Sequence, residues 1–273
     1  MGLGCNAVGV TGCRIIDSPR ERLSAVLTNS FMPCNGRFPA LIAVITMFFA
    51  DEGGFYGPLL LSVMIFGAVC ITLVVTKILS CSVLKGESSA FTLELPNYRK
   101  PDIVGVLARS FVNRTLFVLS RAVTIAAPAG LVIWVMANLS VGESTLLLTV
   151  ANALDGVGGA LGVDGVFLLA LFLGIPANEI VLAVAFMCYS SGSALVAYDS
   201  ISELRNLFVI NGWNRTTAVC ALILLLFHFP CATTLFTIKK ETGSAYYATI
   251  SFILPMIIGC LLAMTVNFIS WIV

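Results

Sequence analysis

Four long runs without a charged side chain limit what this chain can fold into. Residues 53–76, 122–142, 216–238 and 242–273 contain no Asp, Glu, Lys or Arg, and each has at least 21 residues. A helix needs about 20 apolar residues to cross the hydrocarbon core of a bilayer. Charged residues make up only 11% of the chain and hydrophobic residues 59%, so a soluble fold would lack the polar surface that it needs. The sequence therefore predicts an all-α, polytopic membrane protein.

Several other classes of protein are excluded by what the sequence lacks. A net charge of +1 gives no basic surface for nucleic acid. The nine cysteines form no C-x-x-C pair, which argues against a zinc finger or a disulfide framework. The sequence contains no phosphate-binding G-x-x-x-x-G-K-[ST] loop and no H-E-x-x-H or G-x-S-x-G motif, so it has no nucleotide site of that kind and no candidate site for intramembrane protease or lipase chemistry. We expect the chain to be no enzyme and to hold no tightly bound cofactor.

The polar and apolar segments predict about five spans and two broken or re-entrant segments. Residues 1–84 are interpreted as one repeat, with a broken segment followed by two spans, the first of them interrupted at Pro33. Residues 85–114 are the one substantial polar stretch and are predicted to be a cytoplasmic loop. Residues 115–273 are expected to hold the second repeat and the C-terminal spans.

Residues 165–189 are long enough to cross the membrane, but residues 174–179 (GIPANE) break them in the middle. Such a segment either crosses or dips into the membrane and returns. The re-entrant interpretation places nearly all Lys and Arg residues at the cytoplasmic face, as the positive-inside rule requires. We therefore expect a re-entrant hairpin.

A weak internal repeat supports this topology. Residues 31–35 (FMPCN) resemble residues 229–233 (FPCAT), and each Pro-Cys pair follows a broken segment that contains glycine and asparagine. In the predicted topology the two copies run in opposite directions. Inverted repeats whose broken segments meet at the bilayer midplane are typical of secondary transporters.

Polar side chains flank every predicted helix break. A charge near the bilayer centre costs roughly 2.5–3.5 kcal/mol on insertion scales, so it usually marks a partner or a pathway. Glu179 is such a charge, and its two interpretations are a structural pair with Arg37 or a place on a translocation path. Thiols beside a carboxylate suit a borderline-soft divalent cation such as Fe²⁺, although each cysteine also has the ordinary interpretation of a small hydrophobic residue. The candidate metal ligands are Cys5, Cys34, Cys231 and Glu179, and the candidate path residues are Asn6, Asn35, Asn178 and His228.

Several motifs, in order along the chain, resemble the membrane region of the ferrous iron transport protein B family. They are GLGCNA at 2–7, PRERL at 19–23, FMPCNGRFP at 31–39, LPNYRKP at 95–101, GIPANEIV at 174–181, FPCATTL at 229–235 and IKKETGS at 238–244.

This resemblance implies Fe²⁺ import across the bacterial inner membrane and kinship with the gate folds of nucleoside transporters. The family's motif cysteines map onto Cys5, Cys34 and Cys231, and its buried glutamate maps onto Glu179. Many members have Lys before that glutamate, where this chain has Asn178. Either ion selectivity or a lock on Glu179 is therefore expected to differ.

Family members also carry a GTPase domain and a first gate region ahead of the Gly-Cys-Asn motif. The chain is thus expected to be a C-terminal half that works with a partner chain or preceding region supplying both. The oligomeric state stays open, a homo-oligomer included. Two other functions also stay open: a gate-fold transporter of another solute such as a nucleoside, and a gate-fold membrane protein without transport activity.

Overall fold

The computed structural model describes residues 2–49, 55–82, 117–141, 144–190 and 201–272, together with residues 102, 104, 105 and 107. The predicted cytoplasmic loop at 85–114 lies almost entirely outside these residues, so the proposed division of the chain stays a prediction.

The described part of the chain is helical apart from one minimal hairpin, which confirms the predicted fold class. The α-helices are α1 (Asn6–Gly12), α2 (Pro19–Thr28), α3 (Phe38–Phe49), α4 (Tyr56–Ser82), α5 (Phe117–Asn138), α6 (Leu146–Leu161), α7 (Gly165–Leu173), α8 (Val181–Tyr189), α9 (Ile201–Ile210), α10 (Arg215–Leu226), α11 (Ala232–Thr242) and α12 (Ala245–Ile272). Short 3-10 helices lie at Cys13–Ile15, Asn29–Phe31 and Asn178–Ile180. The strands β1 (Ser140–Val141) and β2 (Ser144–Thr145) pair antiparallel between α5 and α6.

Within the described residues, two helices are long and apolar enough to cross a membrane unaided. They are Tyr56–Cys81 and Ala245–Ile272, with mean hydropathies of 2.6 and 2.3. Up to four spans result if each strongly bent helix pair counts as one, with bends of 104° between α6 and α7 and 107° between α9 and α10. The five expected spans do not all form single continuous helices, because breaks divide several of the apolar segments.

The predicted interruption at Pro33 is confirmed. Helix α2 ends at Thr28, a 3-10 turn follows, and α3 begins at Phe38. Met32 is extended, with φ −78° and ψ 127°, because a proline disfavours the helical conformation of the residue before it.

The segment at 215–237 is interpreted from its sequence as one of the C-terminal spans, but it is not one continuous helix. Helix α10 ends at Leu226 and α11 starts at Ala232, so the second Pro-Cys pair lies in a break like the first. Pro230 has no N–H to continue a helical hydrogen-bond ladder. The two halves of the chain thus repeat one order of elements, a helix, a Pro-Cys break, a short helix and a long helix, which are α2 to α4 and then α10 to α12.

Residues 165–189 fold back on themselves as the re-entrant interpretation requires. Helices α7 and α8 pack against each other, and the Tyr189 hydroxyl at the end of α8 donates to Asp164 at the start of α7. Trp213 Nε1 donates to the same hydroxyl over 2.8 Å. A Cβ on Gly174 would lie 2.4 Å from Val181 Cγ2, so glycine is needed for the close turn.

The core lies between α3, the α7–α8 hairpin and α10. Phe31, Leu41, Leu171 and Leu222 are among its fully buried side chains. The turn of the hairpin contacts both Pro-Cys breaks. Ala232 N–H donates to the carbonyl of Ile175, and Asn178 Nδ2 lies beside Cys34 Sγ.

Candidate functional site

Three breaks between helices and the start of α1 meet at one pocket of about 340 Å³, which we call the break pocket. It contains seven of the nine residues that the sequence singled out. The lining residues are Gly4, Cys5, Asn6, Cys34, Asn35, Gly36, Pro176, Ala177, Asn178, Glu179, Cys231, Thr233 and Thr234.

Main-chain hydrogen bonds hold the breaks in place. The N–H of Asn35 donates to the carbonyl of Gly4 over 3.2 Å, and the N–H of Ala232 donates to the carbonyl of Ile175 over 3.0 Å. Asn35 and Ala232 each follow the cysteine of a Pro-Cys pair, and Gly4 and Ile175 each lie just before the asparagine of a broken segment. The same connection therefore occurs once in each repeat.

Three helices begin at the break pocket. Cys5 is the N-cap of α1, Cys231 the N-cap of α11, and Ala177 the N-cap of the 3-10 helix that leads into α8. A helix N-terminus carries partial positive charge, so an acidic side chain in the first turn is favourable. Glu179 occupies that position in its 3-10 helix.

Glu179 is exposed to the pocket, whereas the family resemblance implied a buried glutamate. It lies directly beside Gly36, where an added Cβ would be 3.1 Å from its Oε1 atom. The first repeat thus leaves room for the carboxylate of the second by having no side chain at residue 36.

The expected ion pair between Arg37 and Glu179 is absent from the described residues. The Arg37 side chain is 1% exposed and donates to the carbonyls of Leu226 over 2.8 Å and Phe229 over 3.2 Å, and also to the carbonyl of His228. A further bond reaches Ser30 over 3.3 Å. These are mostly carbonyls freed where α10 ends, and a cation there is favourable. Arg37 therefore stabilises the second Pro-Cys break and forms no ion pair with Glu179.

His228 lies near the break pocket but is not among its lining residues. Its side chain is 1% exposed, and its Nε2 atom is 2.8 Å from the carbonyl of Leu171. This contact ties the second Pro-Cys break to α7. The structure thus gives His228 a packing contact and does not place it in the pocket with the other candidates.

The three candidate thiols are half-buried and free. Cys231 Sγ lies 3.3 Å from Thr234 Oγ1, and Asn178 Nδ2 lies 3.9 Å from Cys34 Sγ. No group of three His, Cys, Asp or Glu side chains converges closely enough to hold a metal among the residues described. A thiol and carboxylate site is therefore not assembled in this conformation.

Thr233 and Thr234 were missed by sequence reasoning, although both line the pocket. They follow the second Pro-Cys pair after one residue, Ala232, and lie in the first turn of α11. That position is a signal, because the first residues of a helix that starts at a site face the same space as its N-cap.

Helices α1 and α11 leave the break pocket side by side. At their far ends Arg14 forms a bidentate ion pair with Glu241. The Arg14 Nε atom is 2.7 Å from Glu241 Oε2, and Arg14 Nη2 is 2.6 Å from Glu241 Oε1. The two repeats are therefore joined at that end too.

Comparison with known proteins gives matches over most of the chain. The family model described as Ferrous iron transport protein B C terminus matches residues 61–112, and the gate model described as Nucleoside recognition matches residues 119–245. No solved structure matches significantly.

Curated relatives match nearly the whole chain. An Fe(2+) transporter FeoB of Staphylococcus aureus is 27% identical over 267 residues, covering 94% of this chain and 38% of the relative. One from Helicobacter pylori is 24% identical, covering 94% of this chain and 45% of the relative. An Fe(2+) transport protein A and FeoB fusion protein of Porphyromonas gingivalis is 23% identical, covering 99% and 36%.

The chain thus spans less than half the length of these relatives. The motifs at 174–181 and 229–235 lie within the region that the gate model matches, and those at 2–7 and 31–39 lie outside both family models. The chain is therefore similar, over nearly its whole length, to the C-terminal membrane part of ferrous iron transport protein B proteins.

Proposed function

We propose that this chain forms the ion path of a bacterial Fe²⁺ importer and that the ion crosses between the repeats at the break pocket. The observation that carries the proposal is the meeting of Cys5, Cys34, Cys231 and Glu179 in one pocket, although they are scattered over the sequence. Thiols with a carboxylate suit a borderline-soft divalent cation. The names of the matched relatives favour Fe²⁺ as the cargo.

The remaining parts of the importer follow from the same relationship. Because the relatives are more than twice as long as the matched part, we expect a GTPase and a first gate region to act with this chain. The chain itself then supplies no catalytic residue. Its place is the bacterial inner membrane, where it releases Fe²⁺ to the cytoplasm and holds it only in transit, since an ion that binds too tightly cannot leave.

Two variants test the proposal in the complete importer, reconstituted in vesicles and loaded anaerobically with Fe²⁺. Glu179→Gln should abolish Fe²⁺ flux without lowering the folded yield, because Glu179 has no ion pair with Arg37 to lose. The double variant Cys34→Ser with Cys231→Ser should lose more Fe²⁺ flux than Mg²⁺ leakage, because hydroxyls suit hard cations.

The matched control is Cys70→Ser with Cys81→Ser, since both thiols are exposed and neither lines the break pocket. Normal Fe²⁺ flux in both pocket variants would reject the proposal.

The description of the gate model keeps nucleosides as a second candidate for the cargo. Uridine or adenosine uptake that Glu179→Gln abolishes, without Fe²⁺ flux in the parent protein, would favour it.

A further inference from the structure

Two asparagines of the break pocket have buried carbonyl oxygens without a partner. Asn6 is 3% exposed and Asn178 6% exposed. Among the described residues no donor hydrogen-bonds to Oδ1 of either side chain, and both residues line the pocket. A buried amide oxygen without a hydrogen bond is unfavourable, so two such atoms in one pocket require an explanation.

The two asparagines occupy matching places in the repeats. Asn6 is the first residue of α1, directly after its N-cap, and Asn178 is the first residue of the 3-10 helix before α8, directly after its N-cap. Each lies shortly after the carbonyl that accepts the main-chain bond from its own Pro-Cys break, at Gly4 and Ile175. The unpaired oxygens therefore arise from the architecture of both repeats.

The main chain at Asn6 is fixed by a neighbouring side chain, and the side-chain nitrogen of Asn178 lies beside a thiol. The Asn29 amide donates to the Asn6 main-chain carbonyl over 2.9 Å, which fixes the start of α1. The Asn178 Nδ2 atom faces Cys34 Sγ at 3.9 Å. Asn178 thus turns its nitrogen toward a thiol and keeps its oxygen free of protein donors.

Thiols and the single carboxylate do not by themselves complete a cation site here. No three His, Cys, Asp or Glu side chains converge within the described residues. Amide oxygens are neutral ligands that coordinate divalent cations, and neutral ligands bind more weakly than carboxylates or thiolates, as an ion in transit requires.

We propose that Asn6 Oδ1 and Asn178 Oδ1 are a pair of oxygen ligands, one from each repeat, that coordinates the divalent cation in the break pocket. The pair supplies hard ligands to a site whose thiols are soft, so both kinds of ligand contact the ion. This inference rests on the proposed function and names the ligands that complete its site.

The experiment uses Co²⁺ as the probe, titrated into the purified complete importer in detergent without oxygen. Its absorption distinguishes sulfur from oxygen ligands, since only thiolates give strong charge-transfer bands. Asn6→Leu and Asn178→Leu should each weaken Co²⁺ binding by at least the roughly tenfold that loss of a supporting group costs at metal sites. Any thiolate band should persist at saturation in both variants.

Asn6→Asp and Asn178→Asp keep the side-chain shape and the oxygen, and they guard against misfolding in the leucine variants. Each should bind Co²⁺ more tightly than the parent chain and transport Fe²⁺ more slowly in the complete importer. Ser24→Ala is the control, because the Ser24 hydroxyl is also buried and unpartnered but does not line the break pocket. It should leave Co²⁺ binding unchanged.

Unchanged Co²⁺ binding in the folded leucine and aspartate variants would overturn the inference. That result would leave the proposed function standing if the parent importer still carries Fe²⁺ and the cysteine variants do not. Absence of Fe²⁺ flux in the parent importer would reject the proposed function instead, so the two failures are distinguishable.

Discussion

The two Pro-Cys breaks are held by the same main-chain connection, but their repeats contribute opposite charges. Each is bonded through the residue after its cysteine to the broken segment of its own repeat. The first break then contributes the cation Arg37, which holds carbonyls of the second, while the second repeat contributes the anion Glu179, which lies against Gly36 of the first. The two repeats therefore share a main-chain connection while their charged side chains take different places.

Replacing Arg37 should have the largest effect on stability. Arg37→Leu leaves the carbonyls of Leu226, His228 and Phe229 buried without their donor, and each such acceptor costs about 1–3 kcal/mol. We expect loss of folded protein, measured as the monodisperse fraction in detergent and as thermal unfolding.

Arg37→Lys should recover only part of this stability, because an ammonium group lacks the planar fork of a guanidinium. Glu179→Gln should leave the unfolding temperature unchanged. A loss of stability with Glu179→Gln as large as with Arg37→Leu would restore the ion pair that the sequence suggested.

Filling Gly36 should affect transport more than stability. A Cβ there approaches the Glu179 carboxylate to 3.1 Å, so Gly36→Val should push the carboxylate out of position and reduce Fe²⁺ flux several-fold. Gly67→Val is the control, since a Cβ on Gly67 meets nothing within 4 Å. Equal flux in the two variants would show that the position of the Glu179 carboxylate is unimportant.

The hairpin end opposite the break pocket should give a moderate effect. Tyr189→Phe removes a hydroxyl that donates to Asp164 and accepts from Trp213, which should lower stability by about 1–3 kcal/mol. The unfolding temperature measures this, with Tyr246→Phe as an exposed control.

The same hairpin predicts the sidedness of its flanks. Cysteines placed at Ser202 and Ser244 in a background without reactive thiols should label from the periplasmic and the cytoplasmic side respectively. Labelling of both from one side would contradict the re-entrant topology.

The smallest effect is expected at the far ends of α1 and α11. Arg14 is largely exposed, and exposed ion pairs contribute little to stability. Arg14→Glu and Glu241→Arg should each lower the unfolding temperature slightly, more so at low salt, and the double exchange should restore it. No recovery in the double variant would show that the pair does not join the repeats.

Sequence reasoning located the break pocket because its signals are local. Pro33 and Pro230 remove backbone donors, and the glycine, proline and asparagine at 174–178 interrupt an apolar run, so each break is visible without a structure. The repeat of the Pro-Cys pair then indicated that the breaks belong together.

The partners of Arg37 were not predictable in the same way. Sequence shows that Arg37 and Glu179 are isolated charges, and opposite charges suggest a pair. It does not show which carbonyls are left without donors when α10 stops at Leu226, and those carbonyls are what the guanidinium binds. Helix α9 was missed for a related reason. Residues 190–214 are interpreted from their sequence as a polar loop, and that composition does not reveal that Leu204 and Phe208 are fully buried.

The two main-chain bonds, from Asn35 to Gly4 and from Ala232 to Ile175, make the scaffold of the pocket largely indifferent to side-chain identity. Any residue except proline can donate from position 35 or 232, and any residue can accept at position 4 or 175. The neighbouring side chains can therefore diverge between homologues, or be exchanged by an engineer, to suit a different ion without rebuilding the support beneath them.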